Sequence, residues 1–211
     1  MKAIAICGSP RENGNTDFYL RTMLAELEKH GMVTELISLR GKTILPCQGC
    51  YGCLEQKVCV QQDDFEAVFA KMHEANAIII GSPVYVSKAT ALLTPLLERV
   101  TFSGRASGRL LSGKVGAPVT VARRAGTTFA FAELLLWYFI NDLVVPGSMY
   151  WNVGVAGAKG AKDADKDLEG IEIMKYTAAN IAKVTKALQG KESTLIDRDK
   201  LFFTVDTTNQ S

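Results

Sequence analysis

Short apolar segments alternate with amphipathic helical segments along the chain, and this alternation limits the possible folds more than any other feature. Residues 2–7 (KAIAIC), 77–80 (AIII) and 115–122 (VGAPVTVA) are almost unbroken apolar runs. Residues 32–39 alternate between apolar and polar positions, and a last strand region falls within residues 143–155. Apolar strands separated by helices are typical of a parallel sheet that is covered on both faces. The pattern therefore predicts an α/β fold.

The commonest arrangement of five such strands is the flavodoxin-like doubly wound sheet with strand order 2-1-3-4-5, and we expect it here. Ligands bind such sheets beyond the carboxyl ends of the strands, where the strand order reverses, so the loops after strands 1, 3 and 4 form the expected site. We expect one domain over residues 1–190 and a C-terminal arm over residues 191–211. Within the arm, a docking patch is predicted at Leu201, Phe202 and Phe203. The predicted helices cover residues 16–30, 90–101, 127–141 and 165–188, with a further helix starting near Asp63.

Composition excludes several classes of protein. The 24 Lys and Arg and 22 Asp and Glu residues are spread along the chain and leave a net charge of +2, so no nucleic-acid partner is expected. The longest apolar runs fall short of the roughly 20 residues that a membrane span needs. A Gly-Ser-Pro turn follows the first apolar run too soon for a secretory signal. We expect a cytoplasmic protein, in which clustered cysteines bind metal or do redox chemistry rather than form disulfides.

The loop after the first strand, residues 8–16 (GSPRENGNT), has the composition of an anion-binding site. A helix N-terminus offers unpaired N–H groups and a partial positive charge. The side chains of Ser9, Asn15 and Thr16 add neutral donors, and Arg11 adds a full charge. The loop is neither GxGxxG nor a Walker A sequence, which disfavours a Rossmann NAD site and a nucleotide hydrolase. The simpler alternative is a strand-to-helix turn in which Asn15 or Thr16 is only an N-cap.

Four of the five cysteines form a compact C-x2-C-x2-C-x5-C run inside residues 44–62: Cys47, Cys50, Cys53 and Cys59. Thiolates are soft ligands that suit zinc and iron-sulfur clusters. Structural zinc sites usually pair two C-x2-C units across a spacer of about 15 residues, so the compact run fits an iron-sulfur cubane better. Zinc remains an alternative, and so does a segment without metal in which the cysteines pack or form an oxidised pair. Cys7, on the first strand, is expected to be a buried small apolar residue.

Three motifs in a fixed order carry a resemblance to a known family. GSPRENGNT at 8–16, the cysteine run at 47–59 and GSPVY at 81–85 resemble the NADPH-dependent FMN reductase superfamily, most closely its iron-sulfur flavoprotein branch. The likeness extends from residue 1 to about residue 190. It implies a flavin-dependent oxidoreductase with a 4Fe-4S cluster on the four cysteines. The residues implied to hold the FMN phosphate are Ser9, Arg11, Asn15 and Thr16.

The resemblance also implies that the loop after strand 3 lies along the isoalloxazine ring of FMN. The residues concerned are Ser82, Pro83, Val84 and Tyr85. Pro83 stiffens the loop, Tyr85 offers a flat apolar face, and the N–H groups around Val84 and Tyr85 are candidate donors to the pyrimidine edge of the flavin. After strand 4, an arginine of the pair Arg123 and Arg124 is the candidate to stabilise anionic reduced flavin, and Arg124 is the predicted one. The alternatives are a plain turn with a surface tyrosine and a solvated arginine.

The leading functional hypothesis is a redox protein that passes electrons between FMN and the 4Fe-4S cluster, with a redox protein or NAD(P)H as donor or acceptor. No side chain is predicted to be a catalytic acid or base, because the flavin carries the chemistry. The alternatives are an NAD(P)H-dependent FMN or quinone reductase without a cluster and a zinc-stabilised binding module. The resemblance further implies a homodimer or homotetramer in which a cluster lies near the neighbour's flavin. The apolar helix from Phe131 to Ile140, with Trp137, Tyr138 and Phe139, suits such an interface, unless it lies deep in the core of a monomer.

Overall fold

A five-stranded parallel sheet forms the centre of this computed structural model, which describes residues 1–191. The strand order is β2-β1-β3-β4-β5 and every neighbouring pair is parallel, which confirms the predicted flavodoxin-like topology. The predicted docking patch at Leu201, Phe202 and Phe203 lies outside the described residues. The strands are β1 (Lys2–Cys7), β2 (Val33–Ser38), β3 (Ala77–Pro83), β4 (Val115–Ala122) and β5 (Val153–Val155).

Six α-helices surround the sheet in the described part of the chain: α1 (Asn15–Lys29), α2 (Gly52–Gln56), α3 (Phe65–Glu74), α4 (Thr94–Ala106), α5 (Thr127–Ile140) and α6 (Leu168–Leu188). Two short 3-10 turns, Ala158–Gly160 and Ala164–Lys166, precede α6. Helix α4 begins four residues later than predicted and has Pro95 in its first turn, where a missing N–H costs nothing. Helix α2 lies inside the cysteine segment and was not predicted. None of the helices in residues 1–191 could cross a bilayer.

The two faces of the sheet have separate cores, as expected for strands that are buried on both sides. Ala3, Ala5 and Cys7 of β1 face α1 and α6, whereas Ile4 and Ile6 face α3, α4 and α5. All five side chains are almost completely buried. The prediction that Cys7 is a buried apolar residue is therefore confirmed, and burial raises the pKa of its thiol to about 11.

The last strand is much shorter than the apolar region from which it was predicted. Val144 forms a single bridge with Val115, and regular pairing with β4 resumes only at Val153. Pro146, which has no N–H, and Gly147 lie between the two points of contact, so the ladder cannot continue through them. The edge of the sheet next to β4 is therefore formed partly by irregular chain instead of a continuous strand.

Helix α5 is apolar almost all round, but only its inner side is covered in the described chain. Trp137 and Tyr138 are buried, and the Trp137 indole Nε1–H donates to the Leu97 carbonyl at 3.0 Å. Trp137, Tyr138 and the rest of the inner side of the helix therefore belong to the core. The residues that remain exposed form the outer face of α5: Phe129, Leu136, Phe139 and Ile140. Since Phe139 is 84% exposed, the alternative of a helix lying deep in the core is wrong for this side.

Candidate functional site

A cleft of about 560 Å³ opens at the carboxyl ends of the strands, where the strand order reverses. Seven of the nine residues predicted to bind cofactor line this cleft: Ser9, Arg11, Asn15, Thr16, Pro83, Val84 and Tyr85. The other lining residues are Val121, Ala122, Arg123, Ala156 and Gly157. Parallel strands end on the same edge of the sheet, so loops far apart in sequence meet here.

One end of the cleft has the features of a phosphate site. Ser9 and Thr16 are buried there, and helix α1 points its first turn into the cleft. The first intrahelical bond of α1 runs from Phe18 N–H to the Gly14 carbonyl, so the N–H groups of the preceding residues lack partners within the helix. Thr16 also lines the cleft and adds a hydroxyl group at this position. Unpaired donors at a helix N-terminus suit an anion.

The Asn15 side chain fastens α1 to the segment that follows β5. Its Nδ2–H donates to the Ala161 carbonyl at 2.9 Å, and its Oδ1 accepts from the N–H groups of Asp163 and Ala164 at 3.0 and 3.2 Å. Both ends of the amide are thus occupied by protein. The sequence predicted either a phosphate ligand or an N-cap at Asn15. In the structure the Asn15 side chain instead connects the start of α1 to the segment after β5.

The segment of residues 157–164, here called the closing loop, is the part of the site that sequence reasoning missed. Arg11 Nη1–H donates to the Gly160 carbonyl at 3.2 Å, and the Gly157 N–H donates to Asp163 Oδ1 at 2.6 Å. The loop then leads into α6, whose N-cap residue, Asp167, accepts the Tyr19 hydroxyl at 2.7 Å. Burial and the bond to Asp167 raise the pKa of Tyr19 well above its usual value. The composition of the closing loop, GAKGAKDA, indicates irregular chain but does not reveal that Asn15 of α1 holds the loop in place.

The loop after β3 lines the opposite wall with the Tyr85 side chain. The N–H of Val84 donates to the Val121 carbonyl at 2.9 Å and the N–H of Tyr85 donates to the Lys88 carbonyl at 3.0 Å. These two N–H groups are therefore already used by the turn and the neighbouring strand, and a donor to the flavin has to come from another N–H group around them. What the loop presents to the cleft is the Tyr85 ring, which is about half exposed.

Ser82 lies behind this wall and does not line the cleft. Its hydroxyl donates to the Pro83 carbonyl at 2.9 Å and accepts the Thr90 N–H at 3.0 Å. Thr90 in turn donates its hydroxyl to the Gly8 carbonyl at 2.6 Å. Ser82 and Thr90 therefore connect the loop after β3 to the loop after β1. Ser82 thus positions the cleft wall without lining the cleft itself.

After β4 it is Arg123 that lines the cleft, while Arg124 is exposed beside it and is not a lining residue. The next turn ends at Gly126, which has a φ of 89° and precedes α5. A Cβ at Gly126 would lie 2.9 Å from Ser87 Oγ and 3.1 Å from Val84 Cγ1. Only glycine allows the loops after β3 and β4 to approach this closely.

A second, separate pocket contains the cysteine segment. Its lining residues include all four clustered cysteines, Cys47, Cys50, Cys53 and Cys59, together with Arg99, Phe102 and Ser103 of α4. The segment folds back on itself through residues with left-handed backbones, among them Gly49 with a φ of 63°. Burial raises the pKa of the Cys53 thiol, and its three neighbouring thiols add to the rise. Thirteen residues of sequence thus bring four sulfurs to one pocket.

A buried ion pair anchors the cysteine segment to α4. Arg99 Nη1–H lies 2.5 Å from Asp63 Oδ2, and both side chains are almost fully buried. Burial acts to raise the pKa of Asp63, but its hydrogen bonds with Arg99 and with the N–H groups of Leu45 and Phe65 outweigh burial and lower it. Burial likewise acts to lower the pKa of Arg99, and the bonds to Asp63 and Cys59 reverse this effect. Both groups therefore stay charged inside the protein.

The fold and the cleft together define an α/β protein of the flavodoxin type, in which the N-terminus of α1 and the Tyr85 ring line a cleft at the switch point. The sequence model of the NADPH-dependent FMN reductase family matches residues 1–158, and the chain belongs to this family. It is a flavin-dependent oxidoreductase whose cofactor is FMN. The resemblance drawn from the three sequence motifs is confirmed.

Curated relatives support the same assignment. An iron-sulfur flavoprotein of Methanocaldococcus jannaschii is 35% identical over 196 residues, which cover 90% of this chain and 100% of that protein. An iron-sulfur flavoprotein of Archaeoglobus fulgidus is 34% identical over 198 residues, covering 89% and 96%. Among solved structures, RosB with a bound intermediate has a TM-score of 0.73 at 18% identity, covering 90% of this chain and 81% of RosB, which shows a shared fold.

Proposed function

We propose that this oxidoreductase passes electrons between FMN and a 4Fe-4S cluster bound by Cys47, Cys50, Cys53 and Cys59. The observation that carries the proposal is that all four thiols line one pocket in a chain that also has an FMN-type cleft. The names of the curated relatives at 34–35% identity favour it as well. FMN exchanges one or two electrons and such a cluster exchanges one, so together they connect two-electron and one-electron carriers.

The residues in the first cleft fit FMN. The N-terminal turn of α1 with Ser9 and Thr16 would hold the phosphate, and Arg11 lies beside it. The closing loop covers this end of the cleft through its bonds with Asn15 and Arg11. The Tyr85 ring would lie along the flavin, and the Arg123 cation would favour the added negative charge of reduced FMN. We therefore propose Arg123 rather than Arg124 for this role.

The second pocket fits a cluster better than a zinc ion. In residues 1–191 no three Cys, His, Asp or Glu side chains converge closely enough to hold a single metal ion. A structural zinc requires four ligands around one point, whereas the cysteines of a 4Fe-4S cluster each bind a different iron and stand further apart. The described residues thus show no site for a single metal ion, and the preference for a cluster rests on the four soft thiols in one pocket and on the compact spacing of the run. The buried charge of Arg99 would offset the negative charge of four thiolates.

The redox centres can be tested by anaerobic purification followed by iron, acid-labile sulfide and flavin analysis. We expect about one FMN, four iron and four sulfide per chain, with broad visible absorption under the flavin bands. A flavin spectrum without iron would instead support an NAD(P)H-dependent FMN or quinone reductase, the second function that the family match allows. Zinc without flavin would overturn both functions.

We also propose a homodimer or homotetramer in which the cluster of one chain lies near the flavin of its neighbour, as the resemblance to the iron-sulfur flavoproteins implies. The outer face of α5 is the proposed interface. Replacement of Leu136, which is 68% exposed on that face, by Glu is expected to shift the assembly toward monomer in light-scattering measurements. The matched control is Leu168→Glu, because Leu168 is 72% exposed at the start of α6. If the wild type is a monomer at micromolar concentration, the proposed assembly is wrong.

A further inference from the structure

The side chain of Arg99 contacts a proposed cluster ligand directly. Its Nε lies 3.3 Å from the Sγ of Cys59, within the range for a hydrogen bond to sulfur. Only 1% of the Arg99 side chain is exposed, although it sits on helix α4 and carries a full charge. Burial of a guanidinium costs free energy unless hydrogen bonds satisfy its donors. The partners of Arg99 therefore decide whether it can be buried here.

The remaining donors of Arg99 hold its guanidinium in a fixed orientation. Nη1 donates to Asp63 Oδ2 at 2.5 Å and to the Leu45 carbonyl at 3.2 Å, and Nη2 donates to the Gln61 carbonyl at 3.4 Å. The guanidinium carbon also lies 4.2 Å from the centre of the Phe65 ring, a cation–π distance. With both terminal nitrogens engaged, the planar fork can turn only its Nε–H toward the sulfur.

These contacts bracket the cysteine run. The Leu45 carbonyl precedes Cys47 by two residues, and the Gln61 carbonyl follows Cys59 by two. The gap before Cys59 is the longest in the run, so this ligand depends more than the others on contacts outside the motif. Asp63 extends the same anchor, because its Oδ2 accepts the Leu45 N–H at 2.8 Å. The Arg99 side chain therefore holds the backbone on both sides of the cysteine run and also contacts the sulfur of its last cysteine.

We propose that Arg99 is a positioning residue for the fourth cluster ligand and that it raises the reduction potential of the cluster. This inference rests on the proposed function. Hydrogen bonds to ligand sulfurs and nearby charge are the means by which proteins set iron-sulfur potentials. Reduction adds one negative charge to the cluster, and a cation close to Cys59 in a dry environment stabilises that charge. The N–H···S bond is charge-assisted and so belongs to the stronger class of hydrogen bonds.

The test uses the anaerobically purified holoprotein and compares wild type with Arg99→Gln. Potentiometric titration of the cluster, followed by EPR, is expected to show a more negative midpoint in the variant. The expected change is about tenfold in the reduction equilibrium, which corresponds to roughly 59 mV for a one-electron couple. Iron, sulfide and FMN content are measured on the same samples. The matched control is Arg105→Gln on the same helix, because the Arg105 guanidinium donates to the Ile140 carbonyl and does not line the cysteine pocket.

Loss of Arg99 leaves the Asp63 carboxylate buried without its cation, and Arg99→Gln could fail to fold for that reason. A second comparison, Asp63→Asn against Asp63→Asn with Arg99→Gln, removes the buried carboxylate from both proteins, so that neither leaves an anion without its cation, and it should show the same downward shift. An unchanged midpoint and EPR spectrum in both comparisons, with full iron content, would overturn the role of Arg99 alone. Wild-type protein that binds FMN but contains no iron would overturn the proposed function and this inference together.

Discussion

Replacement of Cys59 by Ser is expected to remove the broad visible absorption and nearly all of the bound iron while FMN remains bound. A 4Fe-4S cluster needs a thiolate on each iron, and a serine hydroxyl is a much poorer ligand for such a soft site. The cysteine pocket shares no lining residue with the FMN cleft, so the flavin site should be unaffected. Iron, sulfide and flavin content of the anaerobic protein, together with its spectrum, are the measurements.

Cys7→Ala provides the control for this variant. Cys7 is the one cysteine of the sequence outside the C-x2-C-x2-C-x5-C run. It is 2% exposed on β1 and faces α1 and α6 rather than the cysteine pocket. Its replacement should leave iron, sulfide and FMN at wild-type levels. Full iron content in Cys59→Ser would show that the fourth ligand lies elsewhere, and equal iron loss in both variants would point to misfolding instead.

Replacement of Asn15 by Ala is expected to weaken FMN binding about 10- to 100-fold. The variant loses the four hydrogen bonds between Asn15 and the closing loop, of which the three shorter ones contribute about 1 kcal/mol each. Every 1.4 kcal/mol lost from binding is tenfold in Kd. The released loop would have to be ordered again by FMN itself, which costs binding free energy. Flavin titration of the apoprotein, followed by quenching of flavin fluorescence, gives the Kd.

Hydrogen exchange distinguishes a clamp from a direct phosphate ligand. If Asn15 acts through the closing loop, amides of residues 157–164 should exchange faster in the apo variant than in the apo wild type, before any flavin is added. Asn180→Ala is the control, because the Asn180 amide donates to the Gly147 carbonyl from α6 and does not line the cleft. Unchanged FMN affinity in Asn15→Ala would refute both roles for this residue.

Helix α4 relates the two sites to each other within one chain. The segment that leads into it begins at the cleft wall with Tyr85 and is braced to the first loop by Thr90. Five residues into the helix, Arg99 holds the cysteine segment. Helix α4 and the segment before it therefore contact both the cleft wall and the cysteine segment.

The sequence by itself determined the features that depend on local pattern. Unbroken apolar strands identified a parallel sheet buried on both faces, and the order of three motifs identified the family and the loops of the cleft. Those loops are contiguous in sequence, so their composition already indicates what they can bind. Seven of the nine predicted cofactor residues line the cleft for this reason.

Only the tertiary structure decided which groups remain available for a ligand. Asn15, Ser82 and the N–H groups of the Tyr85 loop are used by contacts with residues distant in the chain or across a turn, and no local pattern reveals this. The closing loop and Arg99 act on sites about 145 and 40 residues away in sequence, respectively. Such contacts form only when the sheet brings separate loops to one edge and the helices to one face. Hence the motifs locate both sites, but the tertiary contacts determine which role each residue can have within them.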